Sequence, residues 1–489
     1  MKKFLSFALA LICLSFALFQ AGCKGCNGCN KDKNRTKYLI DVTIEDNLLT
    51  GVETVDFYND FSVPVSHLEF NLHANAFRKD AGYKPIASQY INKAYKNGFS
   101  YGETNINLVT CSGENLPFEI VGQDKNVLKV TLPKEVFPNE RCTVEIDYSI
   151  TLANVVARTG INEHTVNLAN FYPILCARDS GGFYQCLYYS AGDPYFSDCA
   201  DYEVSVTTNA DIVVASSGKL ISQKQTNGKN KCVYKLNSAR SFCLVLSDEF
   251  KVLKDEQDGV EILYYYYDDA DAFGSVDTTK KALKLFNEKF ANYPYSTYTV
   301  VQTEFLQGGM EFPGLVMISD ALEHEAYLEV IVHETAHQWW QTMVGNNEIE
   351  HPFLDEGLAE YSVVLFYEKY PEYDMRRKDI ISSCEKTFRL FCSITDKLDG
   401  EVNTSMLRGL NGYSSEYEYV NVCYVKPCIM FEYLRQSIGE NKFFNGLKKY
   451  CSTYAFKNAT PDDLIGAFES VGANANGFFE GFFSGKVII

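Results

Sequence analysis

Histidine is scarce in this chain, at 7 in 489 residues, so two imidazoles close together carry weight. Basic charge is also short. Lys and Arg number 45 against 63 Asp and Glu, giving a net charge of −18, and no basic stretch interrupts the acidic pattern. Such a surface repels phosphate backbones, which argues against nucleic-acid partners. No segment recurs at a fixed period of 20–50 residues, so a solenoid is not supported. What is present is globular in character: 46% apolar, 22% charged, with 33 Tyr and 34 Phe. That composition excludes disorder, collagen and coiled coil as the main architecture. At roughly 150 residues per domain, two to three domains are expected.

The first residues read as a targeting segment. Lys2 and Lys3 precede an uncharged run from Phe4 to Phe19, then Gln20-Ala21-Gly22-Cys23. The run is short for a bilayer span and fits a signal h-region. Its Ala-Gly-Cys ending resembles a bacterial lipoprotein signal, although Gln20 stands where Leu is usual. The resemblance implies a lipidated Cys23 that anchors an exported protein to the membrane, at the cell surface and outside the cytoplasm. Residues 1–22 are then the signal and 23–35 a tether. Cys13 leaves with the signal, and Cys23, Cys26 and Cys29 lie in the tether CKGCNGCN, which lacks a fourth ligand for a metal cluster. The remaining twelve cysteines are open to disulfide pairing in an oxidising compartment, and sequence does not give their connectivity.

Residues 36–250 read as a β-rich domain. VDFYNDF, HLEFNLH, NVLKVTL, CTVEIDYSITL, YEVSVTTN, DIVVASSGKL and KCVYKL are β-branched or aromatic and are separated by Asn, Gly, Asp and Pro turns. Residues 251–489 read as mixed α and β. Thr278–Ala291 has helical periodicity, the strands TYTVVQTEF and PGLVMIS follow, and helices dominate from Ala326 onward, the first reading through AYLEVIVHETAHQWWQTMV.

The decisive pattern is His333-Glu334-Thr335-Ala336-His337. On a helix, positions four apart share a face, so both imidazoles reach one ion, and Glu334 is placed to act as general base toward a water on that ion. Two imidazoles leave a catalytic zinc one protein ligand short. Eighteen residues intervene before Glu356 in PFLDEGLAEY, on the next expected helix. A helix of about 20 residues runs about 30 Å, so this spacing lets the chain turn and bring Glu356 back.

HETAHQWWQTMVG followed by LDEGLAEY resembles the aminopeptidase N-like family of zinc metallopeptidases, a gluzincin group whose relatives include leukotriene hydrolase. The resemblance extends to NLHANAF, FYPI and DPYFSDCADYEVSV in the β-rich part. It implies a thermolysin-like α+β peptidase domain behind the all-β domain, and a short member lacking the large C-terminal helical domain. It implies one Zn²⁺ per chain on His333, His337 and Glu356. Peptides are the implied substrates, with Glu334 as catalytic base. Gly308-Gly309-Met310-Glu311 matches the family's substrate strand, in which Glu311 holds the α-ammonium; Phe312 replaces the usual Asn. Tyr424, in Tyr424-Val425-Lys426-Pro427, matches the tyrosine that stabilises the oxyanion; Tyr413, Tyr417 and Tyr419 are its rivals. Because proline suits a first helical turn, a helix is expected to start close to Tyr424.

One departure matters. Relatives often carry a second amine-binding acid in a Gln-x-Glu segment, and Asn170-Phe171-Tyr172-Pro173 has none there. A zinc aminopeptidase is therefore the expectation, with two alternatives: an endopeptidase of the same fold, or a non-catalytic surface protein that binds peptides. Side-chain preference and oligomeric state are not legible.

Overall fold

The computed structural model describes residues 34–179 and 181–487. The expected signal and tether, with Cys13, Cys23, Cys26 and Cys29, lie outside the described residues. Up to Ser247, every element longer than five residues is a strand. Alternation explains why. Lys37–Glu45 turns Tyr38, Ile40, Val42 and Ile44 inward and leaves Asp41 and Glu45 in water, and Arg141–Thr151 buries Val144, Ile146, Tyr148 and Ile150 the same way. An eight-stranded sheet results, antiparallel except where Lys37–Glu45 runs parallel to Ala200–Asn209. Its inner face shares one apolar core with two four-stranded sheets. Twelve described cysteines are free thiols, and the Cys111 and Cys142 sulfurs lie 4.0 Å apart.

The second half opens with β1 (Lys251–Gln257) and β2 (Val260–Tyr266), then α1 (Ala272–Lys289). β3 (Thr297–Thr303), β4 (Gly309–Phe312) and β5 (Leu315–Ser319) complete a five-stranded sheet in the order β1-β2-β3-β5-β4. β2, β3 and β5 are parallel, and β1 and β4 are the antiparallel edges. α2 (His324–Ala336) packs against β4 and β5, and α3 (Phe353–Lys369) packs against α2. α4 (Arg377–Asp399) follows. Then α5 (Glu416–Val420), a π-helical turn (Asn421–Val425) and α6 (Lys426–Ile438) run on without a break.

Three local readings need correction. α1 begins at Ala272 rather than Thr278, because the Asp271 carboxylate accepts from the Gly274 N–H at 3.1 Å and caps the helix early. α2 stops at Ala336 instead of continuing through QWWQTMV. There the buried indoles of Trp339 and Trp340 donate to Ala291 O and Ser362 Oγ, and Gln341 takes a φ of 121°. No helix starts at Tyr424. Pro427, which has no N–H to donate, is absorbed by the π turn ahead of it, so Tyr424 sits inside a continuous helical segment.

Candidate active site

α2 carries His333 and Glu334, and His337 caps its C-terminal end. α3 carries Glu356 in its first turn. Packing of α3 on α2 brings Glu356 Oε2 to 3.3 Å from both His333 Nε2 and His337 Nε2, which are themselves 3.1 Å apart. Bonds of 2.0–2.1 Å to a tetrahedral zinc put its ligand atoms about 3.3 Å from one another, so this triangle has the size of one face of such a site. His337 is 1% exposed and Glu356 5% at their side chains, and Glu356 Oε2 has no hydrogen bond. Burial opposes charge on His333, but the Glu356 and Glu360 carboxylates outweigh it and push its pKa up to about 10. The cage is therefore built around positive charge.

The imidazoles are held from behind. His337 Nδ1 lies 2.9 Å from the Trp340 carbonyl, and His333 Nδ1 lies 3.3 Å from Glu360. Such partners fix ring orientation and leave Nε2 for the metal. A second grouping, Glu311, His337 and Asp355, also has ligand-type atoms within 4.8 Å. There His337 Nδ1 is committed as donor to Trp340, so this grouping lacks its nitrogen ligand.

Glu334 faces the same cleft, a cavity of about 270 Å³. Its Oε2 is buried without a partner, and burial pushes the carboxyl up to about 8. The glycines of β4 allow this arrangement. A Cβ on Gly309 would meet Glu334 Oε1 at 2.5 Å, and one on Gly308 would meet Val330 at 3.2 Å. On the same strand Glu311 is 4% exposed, with Oε1 unpartnered and 4.0 Å from His337 Nδ1. Met310 is turned into the core, where its sulfur accepts from Arg158 Nε at 2.9 Å.

Tyr424 reaches the centre from the π turn. Its hydroxyl donates to Glu356 Oε1 and its ring stacks on His333. A close approach makes this possible: a Cβ on Gly357 would lie 2.4 Å from Pro427 Cβ. The glycine after Glu356 thus lets the π turn dock on α3. Among the rivals, Tyr417 is 46% exposed and Tyr413 bonds to Arg408 O, outside the cleft. Tyr419 does line the cavity, with a buried, unpartnered hydroxyl.

The β-rich half contributes an acid that the sequence reading missed. Asp193, 7% exposed, lines the cavity beside Glu311 and Glu356 and is ion-paired with Arg158. Arg158 also donates to Gly192 O at 3.2 Å, so one guanidinium ties the Asp193 loop to β4 through Met310. Burial pushes the Asp193 carboxyl up to about 8 against the opposing charge of Arg158. No motif marks the pair. Asp193 lies outside the Asn170–Pro173 segment, where the sequence carries no acid.

Residues 274–482 match the Peptidase family M1 domain. Over that region the chain is similar to the aminopeptidase N-like M1 peptidases. Among curated relatives it is 25% identical to Aminopeptidase M1 of Arabidopsis thaliana over 298 residues, 55% of this chain and 32% of that protein. It is 27% identical to Aminopeptidase N of Streptomyces lividans over 228 residues, 41% of this chain and 24% of that protein. The chain thus spans about a third or less of the length of the curated relatives it matches. The fold is that of an M1 zinc metallopeptidase from Deinococcus radiodurans, with a TM-score of 0.68 at 16% identity over 93% of this chain and 95% of that one. A mutant of that enzyme bound to Tyr-Ser-Ala substrate aligns with a TM-score of 0.64 at 17% identity, over the same shares of the two chains. Like those solved structures, the chain has a β-rich N-terminal region followed by an α+β domain, which holds the stretch matched to the peptidase family.

Proposed function

We propose that this chain is a zinc aminopeptidase, with His333, His337 and Glu356 holding one ion. The observation that carries the reading is the triangle of ligand atoms with edges of 3.1–3.3 Å, with Glu334 beside it. When bound, the ion supplies Lewis acidity toward a water and the scissile carbonyl. Glu334 takes the proton from the attacking water and delivers it to the leaving amine. Its burial supports that role, because a carboxyl pushed toward neutrality gives as well as takes a proton. Tyr424 exchanges its bond to Glu356 for one to the developing oxyanion. Glu311 and Asp193 flank the place of the substrate ammonium, which supports cleavage at a free N-terminus over internal cleavage. The peptide ligand of the solved neighbour supports peptides as the substrate class. The Lys2–Cys23 pattern supports export and a lipid anchor at Cys23.

The test is hydrolysis of aminoacyl fluorogenic substrates by the zinc-loaded protein, with and without a chelator, beside N-acetylated twins. Chelator-sensitive cleavage restricted to free amines is expected. Turnover that survives chelation, or equal cleavage of the acetylated twins, would overturn the reading.

A further inference from the structure

The cleft has two ends, and they are marked by different acids. Glu311 lies on the His337 side of the metal ligands, 4.0 Å from His337 Nδ1. Glu360 lies on the His333 side, 3.3 Å from His333 Nδ1. Accepting the aminopeptidase reading, a peptide with its ammonium at Glu311 and its first carbonyl at the metal sends its second residue past His333. The wall there is set by helical spacing. Glu329 stands one turn before His333 on α2, and Glu360 stands one turn after Glu356 on α3, so both acids share the ligand-bearing faces. Val330 and Val363 line the cavity between and beside them. Among the described residues no Lys or Arg pairs with Glu329 or Glu360. The cavity they line suits a polar ligand, since Glu334 and Glu311, 5% and 4% exposed, line it too and each keeps a buried carboxylate oxygen without a partner.

We infer that Glu329, with Glu360, selects a basic side chain, Arg or Lys, at the second residue of the substrate. The valines cover the aliphatic stem and the carboxylates receive the cationic head. The metal and its ligands act on the backbone and do not distinguish side chains, so selection at this position falls to these four residues.

Tripeptides Ala-Arg-Ala, Ala-Leu-Ala and Ala-Glu-Ala test this with the zinc-loaded protein. kcat/KM should be about tenfold higher for Arg than for Leu, with Glu lowest, as a charge-assisted bond predicts. Glu329→Gln should shrink the Arg-to-Leu ratio severalfold, and Glu329→Lys should invert the order of Arg and Glu; a thermal melt checks that both variants fold. A parallel titration of the three peptides into zinc-loaded Glu334→Gln protein reads affinity without turnover, with and without the added Glu329→Gln change. If no peptide is turned over, the aminopeptidase reading falls and the titration alone decides the selectivity. Equal affinity for the Arg and Leu peptides, or an Arg preference that survives Glu329→Gln, overturns the inference.

Discussion

The peptidase half assembles its centre from residues close in sequence, whereas the β-rich half reaches the same cleft through a loop. His333, Glu334 and Glu356 lie on α2 and α3 and His337 caps α2, at fixed spacing and all buried except the part-exposed His333. Asp193 arrives from a segment with little regular structure, held by Arg158. The difference separates two jobs. On the proposed function, rigid helices fix the atoms that act on the bond, and the β-rich half places an acid toward the peptide's free amine. On that division, damage in the helices should abolish turnover, and damage at Asp193 should relax the requirement for a free amine.

The largest effect should come from Glu334→Gln. Loss of a positioned base costs 10²–10⁴-fold, and because Glu334 is proposed both to take and to give the proton, kcat should fall about 10³-fold or more. Zinc content, read by atomic absorption, should stay at the wild-type level. Metal loss in that variant would mean Glu334 belongs to the cage, and the division between ligand and base would fail. Tyr424→Phe comes next. Removing one oxyanion donor costs about 10²–10³-fold in kcat, and KM for free-amine substrates should move little. A large rise in KM with kcat intact would instead assign Tyr424 to binding, through its bond to Glu356.

On the proposed function, each half supplies one acid at the ammonium, Glu311 from β4 and Asp193 from its loop. Glu311→Gln and Asp193→Asn should each lower kcat/KM about 10- to 150-fold on free-amine peptides, as expected for one charge-assisted bond in a shielded cleft. N-acetylated peptides, already poor substrates, should show almost no further loss. If Asp193→Asn is silent while Glu311→Gln is not, the β-rich half has no part in amine recognition, and Asp193 serves only Arg158.

Legibility followed the same division. The meeting of His333, His337 and Glu356 could be read because helix geometry turns a four-residue interval and a turn-back spacing into one cluster that could hold a metal ion. Strand alternation exposed the β-rich half in the same way, since Tyr38, Ile40 and Val42 repeat at the period of a half-buried strand. Asp193 was hidden because its ion-pair partner Arg158 stands 35 residues before it, and Met310, which Arg158 also bonds, stands 152 residues after Arg158, so only folding brings them together. Tyr424 does face the cleft, but its setting was misread. Proline's missing N–H suggested a helix start, yet the π turn resolves the same missing donor inside a continuous helix.

A stability test probes how that turn is seated. Gly357→Ala adds a methyl where Pro427 Cβ would lie 2.4 Å away, and the backbone on both sides is packed. Overpacking of this kind costs about 1–3 kcal/mol, partly offset by alanine's better helix propensity. A lower Tm together with reduced kcat is expected, because Tyr424 is carried on the displaced turn. Reduced stability with unchanged kcat would separate Pro427 docking from the placement of Tyr424.

The smallest expected effect lies where the two halves meet. His73 belongs to the β-rich half and lines a small polar cavity with Glu311, and its ring meets Tyr195 edge-on at 5.1 Å. Burial pulls its pKa down from 6.5 to about 4. Between those values the unfolded chain binds a proton that the folded protein refuses, so this residue's contribution to stability is present above pH 6.5 and is lost as pH falls through that window. The loss is at most roughly 3 kcal/mol, and less where the ring is partly exposed, since one pKa unit corresponds to about 1.4 kcal/mol. His73→Phe keeps an aromatic ring against Tyr195 and has no proton to refuse. The difference in unfolding free energy between wild type and His73→Phe should therefore shift toward the variant from pH 6.5 to pH 4, as read by urea denaturation at several pH values. Comparing the two proteins at each pH cancels the titration of the other buried acids. A difference that stays flat across the window would show that the folded protein admits the proton at His73, and that the seam between the halves opens to water on the acid side.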